Sequence, residues 1–482
     1  MTRNLNYNWI NGEQIQTEKT LSVVDPASGK TIGEVPSVDG PIVQKAIDSA
    51  ANAFESWSNY TAETRQAFLE KWAVNLLNKQ EELATIMSEE QGKPYNEAFG
   101  EIGVCAKFIR WFAEEGKRIY GEIIPPSSEN QRISVIKQPV GVCGLITPWN
   151  FPGAMVARKV APALAAGCTV IVKPSSETPR IAIAIFEELI ATGIDKGVAN
   201  IVTGSSSLIS DKLFNDKRVK KMSFTGSTKI GKTLMSEASK QIKRISLELG
   251  GNAPAIVLPD ADLDNAADAI VDNKFENSGQ MCNGINVILV HKDIESEITQ
   301  KIISRVNKLK VAPGNESGAQ VGPLINQQAI EKVEKLVAES QENGATIKTG
   351  GHKADIAGSE LFYQPTVITD VTPTMSIAQE EIFGPVAPII TFESTKEAIE
   401  IANASPYGLA AYFFSNNINT VYQISEQLEF GMIGVNGTQL SVPQAPFGGI
   451  KESGMGREGS HFGLDGFLEL KYISLSLLKQ NS

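Results

Sequence analysis

The sequence predicts an α/β protein built on a doubly wound parallel sheet, and three observations lead to that prediction. Apolar strand-like runs alternate with amphipathic helical runs between residues 142 and 240, which is the pattern of parallel strands joined by crossover helices. A second series of the same kind extends from about Asn252 to about Phe430. The length of 482 residues, with 42% hydrophobic and 21% charged residues, is typical of a folded chain of two or three domains.

Composition excludes several classes of function. The net charge of −11 argues against a general nucleic-acid or anionic-membrane partner, since both require a basic surface. The three histidines are isolated and the four cysteines contain no CxxC pair, so we expect neither a metal site nor a disulfide framework. The N-terminus lacks the apolar core of a signal peptide, and the apolar run 161–172 is too short to span a bilayer. We therefore expect a cytoplasmic, reduced protein.

The first 118 residues are predicted to contain a hairpin and two amphipathic helices. The hairpin covers residues 7–15, with Asn11-Gly12 as its turn. Apolar residues recur at helical spacing over 42–57 and again over 68–77, and Gly92 is the expected stop of the second helix.

A second, longer hairpin is predicted from two extended runs, 119–124 and 133–138, joined by a polar turn. Its exposed edge would invite pairing with another subunit, so it is the candidate oligomerisation arm. The C-terminal apolar run 467–478 is expected to pair with the hairpin of a neighbouring subunit.

The first α/β series is expected to consist of four strands and four helices in strict alternation. They are strand 142–146, helix 154–166, strand 169–172, helix 180–191, strand 200–202, helix 208–215, strand 222–224 and helix 230–240. Such sheets bind ligands beyond the carboxyl ends of their strands. Polar residues that directly follow these strands are therefore the candidates for chemistry.

Cys282 is the candidate nucleophile. It lies between a helical run that breaks after Asn277 and an apolar strand that begins at Val287. Gly279 and Gly284 flank it, which would permit unusual backbone angles and bring amides close to a reactant. The thiolate is the reactive form, so a local cation or dipole is expected to lower the thiol pKa from its usual value near about 8.5. The alternative is a buried cysteine that only packs.

Three more polar positions are candidates for the same site. Asn150, in the turn TPWNFP, is suited to donate a hydrogen bond to a developing oxyanion, although such an asparagine is often only a turn or helix-cap residue. Glu248 is expected inside an apolar strand, just before two glycines, so desolvation should raise its pKa and make it a base near neutrality. Ser227 opens a helix after a strand, where free N–H groups form an anion site unless this is an ordinary turn.

Seven motifs in a fixed order make the chain resemble the aldehyde dehydrogenase superfamily over essentially its whole length. They are TPWNFP, VIVKPSSETP, FTGSTKIG, LELGG, GQMC, EEIFGPV and PFGGIKESGMGRE. The resemblance implies a cofactor-binding domain in 1–118 and 140–249, a catalytic domain in 250–445 and a small β oligomerisation element in 119–139 and 464–482. It also implies a homodimer or homotetramer.

The same resemblance implies a role for each candidate residue. Cys282 would attack the aldehyde, Asn150 and the Cys282 amide would form the oxyanion hole, and Glu248 would activate the water that releases a free acid. The hydride would pass to NAD or NADP. The matching cofactor positions are Lys173 and Glu381 at the riboses, Phe383 at the nicotinamide and Ser227 at the pyrophosphate, together with Trp149, Ser176 and Gly226.

Within the superfamily the motifs are most like those of succinate-semialdehyde dehydrogenases, which implies that Arg158 and Ser441 hold the distal carboxylate of the substrate. Three positions depart from the expected pattern. Ser176 replaces a glutamate common in NAD-preferring relatives, so NADP should be accepted at least as well as NAD. Glu276 replaces an arginine. Gly284 replaces a second cysteine, which removes any disulfide lock.

Three alternatives to a succinate-semialdehyde dehydrogenase remain. Glu276 would favour a neutral or cationic aldehyde, such as an aliphatic or amino aldehyde, if it lines the entrance to the site, and would be harmless if it pairs with Arg158 or points to solvent. A coenzyme-A-acylating relative is disfavoured because Glu248 is present. A non-catalytic protein of the same fold is disfavoured because the nucleophile, the oxyanion donor and the base are all in place.

Overall fold

A six-stranded sheet forms the first half of the fold in the computed structural model, which describes residues 3–356 and 358–478. Five strands are parallel and one edge strand is antiparallel. In spatial order they are Gly454–Met455, Arg244–Glu248, Val219–Thr225, Val142–Ile146, Thr169–Lys173 and Ala199–Ile201. The strand order reverses between Val219–Thr225 and Val142–Ile146, so the predicted doubly wound sheet is confirmed, and this reversal is where such sheets bind ligands.

The crossover helices of this sheet agree with the predicted alternation to within a few residues. They are Pro152–Ala166, Pro179–Ile190, Ser206–Asn215 and Thr228–Ser239. The first of these is buried along its whole length, because the helices of the N-terminal segment cover its outer side.

The N-terminal segment contains more helices than predicted. The hairpin of Asn8–Ile10 and Glu13–Ile15 is confirmed, with its turn residues in the left-handed region, and a second hairpin pairs Thr20–Val24 with Thr31–Pro36. The helices that follow are Gly40–Asn59, Ala62–Asn78, Gln80–Gln91 and Tyr95–Glu115. The prediction of two helices was therefore incomplete. Gly92 does stop a helix, with a φ of 91° in the left-handed region, but it ends the third helix, whereas the second already ends at Asn78.

A seven-stranded sheet forms the second α/β unit, and all its strands except one edge strand are parallel. In spatial order they are Thr346–Thr349, Thr366–Thr369, Val386–Phe392, Ile285–His291, Ala253–Val257, Ala410–Phe414 and Met432–Val435. Its helices are Leu263–Phe275, Glu295–Val306, Gln327–Glu342, Ser376–Gln379, Thr395–Asn403 and Ile418–Gln427. The last strand extends the predicted second series slightly beyond Phe430.

A separate three-stranded antiparallel sheet is formed by Glu122–Ile124, Gln131–Pro139 and Leu468–Ser476. The C-terminal strand pairs with the hairpin of its own chain, so the expected pairing with a neighbour's hairpin is wrong. The turn before it places the strand there, because the Phe467 carbonyl already accepts a hydrogen bond from the Val140 amide at 3.0 Å. Residues 1, 2 and 479–482 of the predicted domains lie outside the described residues.

Two short strands, Tyr407–Gly408 and Ile450–Lys451, and the helix Phe462–Asp465 complete the architecture of the described residues. Within residues 3–356 and 358–478, no helix has the length and apolar character needed to cross a membrane.

Candidate active site

The carboxyl ends of four adjacent strands of the six-stranded sheet present a row of polar residues: Thr147, Lys173, Thr225 and Glu248. Among the described residues, the hydroxyls of Thr147 and Thr225 and both carboxylate oxygens of Glu248 are buried without a hydrogen-bond partner. Buried polar atoms are normally paired, so this edge has the character of a ligand site.

Glu248 is the most strongly perturbed residue of this row. Its side chain is buried, and burial raises its pKa well above the usual value, with the nearby carboxylate of Glu458 acting in the same direction. The charges of Lys159, Arg457 and Arg158 oppose this without offsetting it. The predicted desolvated carboxylate is therefore confirmed.

The turn before Cys282 is an unusual backbone feature. The preceding helix ends at Phe275, two residues earlier than predicted, and then Asn277, Ser278 and Gly279 are consecutively left-handed, with φ of 48°, 57° and 75°. A Cβ at Gly279 would stand 2.2 Å from the Gly384 carbonyl oxygen, so only glycine fits there. Gly284 does not adopt a positive φ, and that part of the prediction was wrong.

Several charged side chains affect the pKa of the Cys282 thiol. The residue is half-buried, and burial raises the pKa of its thiol to about 12. Carboxylates, first that of Glu381, raise it further, and Arg158 alone among the main contributors lowers it. The expectation of a lowered thiol pKa is thus wrong for the free protein, because burial and the neighbouring carboxylates raise it.

Asn150 is tied directly to the cysteine turn. Its Nδ2 donates to the Gln280 carbonyl oxygen at 3.0 Å, and its own backbone carbonyl accepts from Asn277 Nδ2 at 2.9 Å. Asn150 is buried, and the helix that follows begins at Pro152 with Phe151 as its N-cap. The helix-cap alternative for Asn150 is therefore excluded. The amide has two N–H groups, and one of them makes the hydrogen bond to Gln280.

The predicted cofactor residues lie in two groups along the strand ends. In the first group, the Lys173 amine donates to the Ser206 hydroxyl at 2.7 Å, and burial lowers its pKa to about 8. Ser176 follows on the exposed loop. Ser227 caps the helix Thr228–Ser239, and the amide of Gly226 donates to the Glu248 carbonyl oxygen at 3.1 Å.

The second group lies toward Cys282. The rings of Trp149 and Phe383 meet edge to face with centroids 5.6 Å apart. Glu381 accepts a hydrogen bond from the Gly251 amide at 3.0 Å, and burial raises its pKa to about 7. A Cβ at Gly250 would stand 2.9 Å from the other Glu381 oxygen, so the glycine makes room for this carboxylate.

Arg158 and Ser441 are brought together although 283 residues separate them. The buried guanidinium donates through Nη2 to the Ser441 hydroxyl, and it lies 4.4 Å and 4.6 Å from the ring centroids of Phe108 and Phe447. Its Nε has no partner among the described residues. Glu276 is exposed and does not contact Arg158, and partial burial of its carboxyl raises its pKa.

Several residues of this site were missed by the sequence analysis. Lys159 Nζ lies 2.5 Å from Glu458 Oε1, and both charges act on Glu248. Lys93 donates to the Asn150 carbonyl oxygen at 2.8 Å. Glu101, the partner of Lys93, had a signal in the sequence. It lies at helical spacing from Ala98 and Cys105, on an otherwise apolar face.

Both the sequence and the structure match those of known proteins. Residues 9–473 match the profile of the Aldehyde dehydrogenase family. The chain is 44% identical over 470 residues to the Succinate-semialdehyde dehydrogenase [NADP(+)] GabD of Escherichia coli, covering 97% of each chain. It is 45% identical over 471 residues to the Glutarate-semialdehyde dehydrogenase of Pseudomonas putida, again over 97% of each. The solved structure of an E. coli NADP-dependent enzyme superimposes with a TM-score of 0.97, at 44% identity and over 98% of each chain.

Proposed function

Because this chain belongs to the aldehyde dehydrogenase family and is an aldehyde dehydrogenase, we propose that Cys282, Asn150 and Glu248 carry out its oxidation of an aldehyde to a free acid. One observation carries the proposal. Asn150 donates to the carbonyl two residues before Cys282, and the charge of Glu248 acts on the Cys282 thiol, so both groups act on the same cysteine segment.

Each residue type suits one step of the reaction. The Cys282 sulfur attacks the aldehyde carbon, and the resulting oxyanion takes the free N–H of the Asn150 side chain and the Cys282 amide. Once a thioester has formed on Cys282, Glu248 accepts a proton from the attacking water. Its raised pKa makes it a stronger base than an ordinary carboxylate, and its two oxygens have no competing partner among the described residues.

The cofactor proposed is NADP or NAD, and the residues present fit a dinucleotide. Unpaired hydroxyls of Thr147 and Thr225 and the buried amine of Lys173 lie at the carboxyl ends of the parallel strands, where such ligands bind. Ser227 begins the helix that would face the pyrophosphate, and Trp149, Glu381 and Phe383 lie toward Cys282. When bound, the nicotinamide supplies the acceptor for the hydride.

Ser176 is proposed to set the choice of cofactor. A carboxylate at this exposed position would repel a 2′-phosphate, so the Ser176→Glu variant should lose at least about tenfold in kcat/KM with NADP relative to NAD, or about 1.4 kcal/mol. The uncharged Ser176→Gln variant has the same side-chain length and should keep the wild-type ratio. Steady-state kinetics with both cofactors check this. Equal ratios in both variants would mean that the adenosine ribose is recognised elsewhere.

The substrate proposed is succinate semialdehyde. The buried guanidinium of Arg158 has an Nε without a partner in 3–356 and 358–478, and it donates to the hydroxyl of Ser441, an exposed residue, so the cation lies next to a residue at the surface. A carboxylate is the natural partner of a buried arginine. An amino aldehyde is the second candidate: if the exposed carboxyl of Glu276 lines the entrance, it would repel a carboxylate and attract an ammonium group.

We expect succinate semialdehyde to give a higher kcat/KM than 4-aminobutanal or an unbranched aliphatic aldehyde, measured by the absorbance of the reduced cofactor. Arg158→Ala should remove that advantage by at least about tenfold, the loss expected from one charge-assisted hydrogen bond. Arg158→Met is the matched control for packing, since it keeps a long chain between the two phenylalanine rings. It should lose the carboxylate substrate and keep the aliphatic one. A preference for the amino aldehyde would identify Glu276 as the specificity residue instead.

The remaining proposals concern organisation. We propose a cofactor domain (1–118 and 140–249), a catalytic domain (250–445) and an oligomerisation element (119–139 and 464–482). In support, each of the three larger sheets lies within one of them, apart from the short edge strand Gly454–Met455. The three-stranded sheet exposes Ile123, Leu470, Tyr472 and Leu475, a surface suited to a homodimer or homotetramer. A solution mass equal to that of one chain would contradict this. Four free cysteines are consistent with a cytoplasmic location.

A further inference from the structure

We propose that Lys93 and Glu101, a buried ion pair that does not touch the reacting atoms, are positioning residues that direct the Asn150 amide toward Cys282. The inference deepens the proposed function, since it rests on the roles of Asn150 and Cys282 given above. It concerns a segment, residues 91–101, that joins two N-terminal helices and contributes no group to the reaction itself.

The Lys93 ammonium makes its hydrogen bonds to Glu101 and to the turn that holds Asn150. Its side chain is 1% exposed, and Nζ donates to Glu101 Oε2 at 2.7 Å and to the Asn150 carbonyl oxygen at 2.8 Å. Lys93 Nζ also lies 4.0 Å from the ring centroid of Phe151, the residue after Asn150. Burying such a pair costs desolvation and stabilises a fold poorly compared with apolar packing. Its value here is the geometry that it fixes.

Glu101 holds the chain on the other side of Asn150. Its second oxygen, Oε1, accepts hydrogen bonds from the backbone amides of Gly153 and Ala154 at 2.8 Å and 3.0 Å. These amides open the helix Pro152–Ala166, which has no side-chain cap from its own N-terminal residue. Lys93 and Glu101 therefore hydrogen-bond to the backbone at two points, the carbonyl of Asn150 and the start of the helix that follows.

The same segment also holds the cysteine turn. Asn277, the first of the left-handed residues, donates through Nδ2 to the Asn150 carbonyl oxygen at 2.9 Å. Its Oδ1 accepts from Gln91 Nε2, and its amide donates to Glu97 Oε2, each at 2.9 Å. Residues 91–101 thus contact both the backbone of Asn150 and the turn that leads to Cys282. A displacement of about 1 Å between two such segments is enough to cost about 100-fold in rate.

A double-mutant cycle tests whether the pair acts through Asn150. The variant Lys93→Met/Glu101→Gln removes both charges together, so that no uncompensated charge is left buried. We expect it to slow the single-turnover formation of reduced cofactor by about 10- to 100-fold. The KM for aldehyde and the Kd for cofactor should change less than about threefold, because the pair touches neither ligand. Asn150→Ala should slow the same step by about 10²- to 10³-fold.

The triple variant decides the matter. If the pair acts only by directing the Asn150 amide, adding its substitutions to Asn150→Ala should cause no further loss. Losses that multiply would overturn the proposal. Should the pair variant fail to fold, Asn277→Gly tests the same link, because glycine accepts the left-handed backbone and removes only the side chain. The slowing caused by Asn277→Gly must likewise disappear when Asn150→Ala is already present.

Glu90 provides a matched control for stability. It is another fully buried carboxylate, and it accepts from the amides of Arg180 and Ile181 at 2.7 Å and 2.8 Å at the start of another helix. Glu90→Gln should lower Tm and leave the single-turnover rate near that of the wild type. An equal loss of rate in this control would show that the effect follows stability, which overturns the proposal. A wild-type protein that oxidises no aldehyde would overturn the proposed function itself.

Discussion

Replacing Cys282 with alanine should abolish aldehyde oxidation, with a fall in turnover of at least about 10⁴-fold, the scale seen when a covalent nucleophile is removed. Asn150, Glu248 and the cofactor residues all remain in the variant. Cofactor affinity should therefore stay close to that of the wild type, because the thiol forms the covalent intermediate and does not hold the nucleotide. Stopped-flow absorbance of the reduced cofactor and a binding titration measure the two quantities separately.

Cys143→Ala is the matched control for this variant. Cys143 is also a free cysteine, but it is fully buried inside the strand Val142–Ile146, so its loss should leave turnover nearly unchanged. Substantial turnover in Cys282→Ala would show that another group is the nucleophile. Because burial raises the Cys282 thiol pKa to about 12, labelling of the free protein by an alkylating agent should become faster as the pH rises through the neutral and alkaline range.

The position of the site along the chain was predictable because parallel strands impose a regular rhythm on the sequence. Alternating apolar runs predict Lys173 at the end of a strand and Glu248 within one, and the carboxyl ends of such strands meet at one edge, where the structure has both residues. The raised pKa of Glu248 was predictable for a similar reason, since its neighbours in sequence are apolar and are buried with it.

Contacts between distant residues were not predictable in this way. The link from Lys93 to Asn150 spans 57 residues and depends on how the N-terminal helices pack against the helix that follows Asn150. The pKa of Cys282 was misjudged because flanking glycines suggest open backbone amides, whereas burial and the distant carboxylate of Glu381 outweigh them. The partner of the C-terminal strand was misjudged because apolar strands look alike whether they pair within one chain or between two.

Changing Glu248 to glutamine should separate the two halves of the reaction. The amide keeps the size of the side chain but cannot accept a proton from water, so the first turnover should proceed and the thioester on Cys282 should then persist. We expect a burst of reduced cofactor close to one per site, followed by a steady state about 10²- to 10⁴-fold below that of the wild type. Mass spectrometry of the quenched variant should find an acyl group on Cys282.

The pH dependence of acid release provides a second test of Glu248 as the general base. Burial and the charge of Glu458 raise the pKa of Glu248, so the carboxyl stays protonated to a higher pH than usual, and only the ionised form is a base. Release of the acid by the wild type should therefore speed up as the pH rises through that pKa, and Glu248→Gln should lose this rising limb. Glu458→Gln keeps the base and removes the repelling charge, so it should retain multiple turnovers and move the limb toward lower pH. A normal steady state in Glu248→Gln, with the limb intact, would assign the general base to another residue.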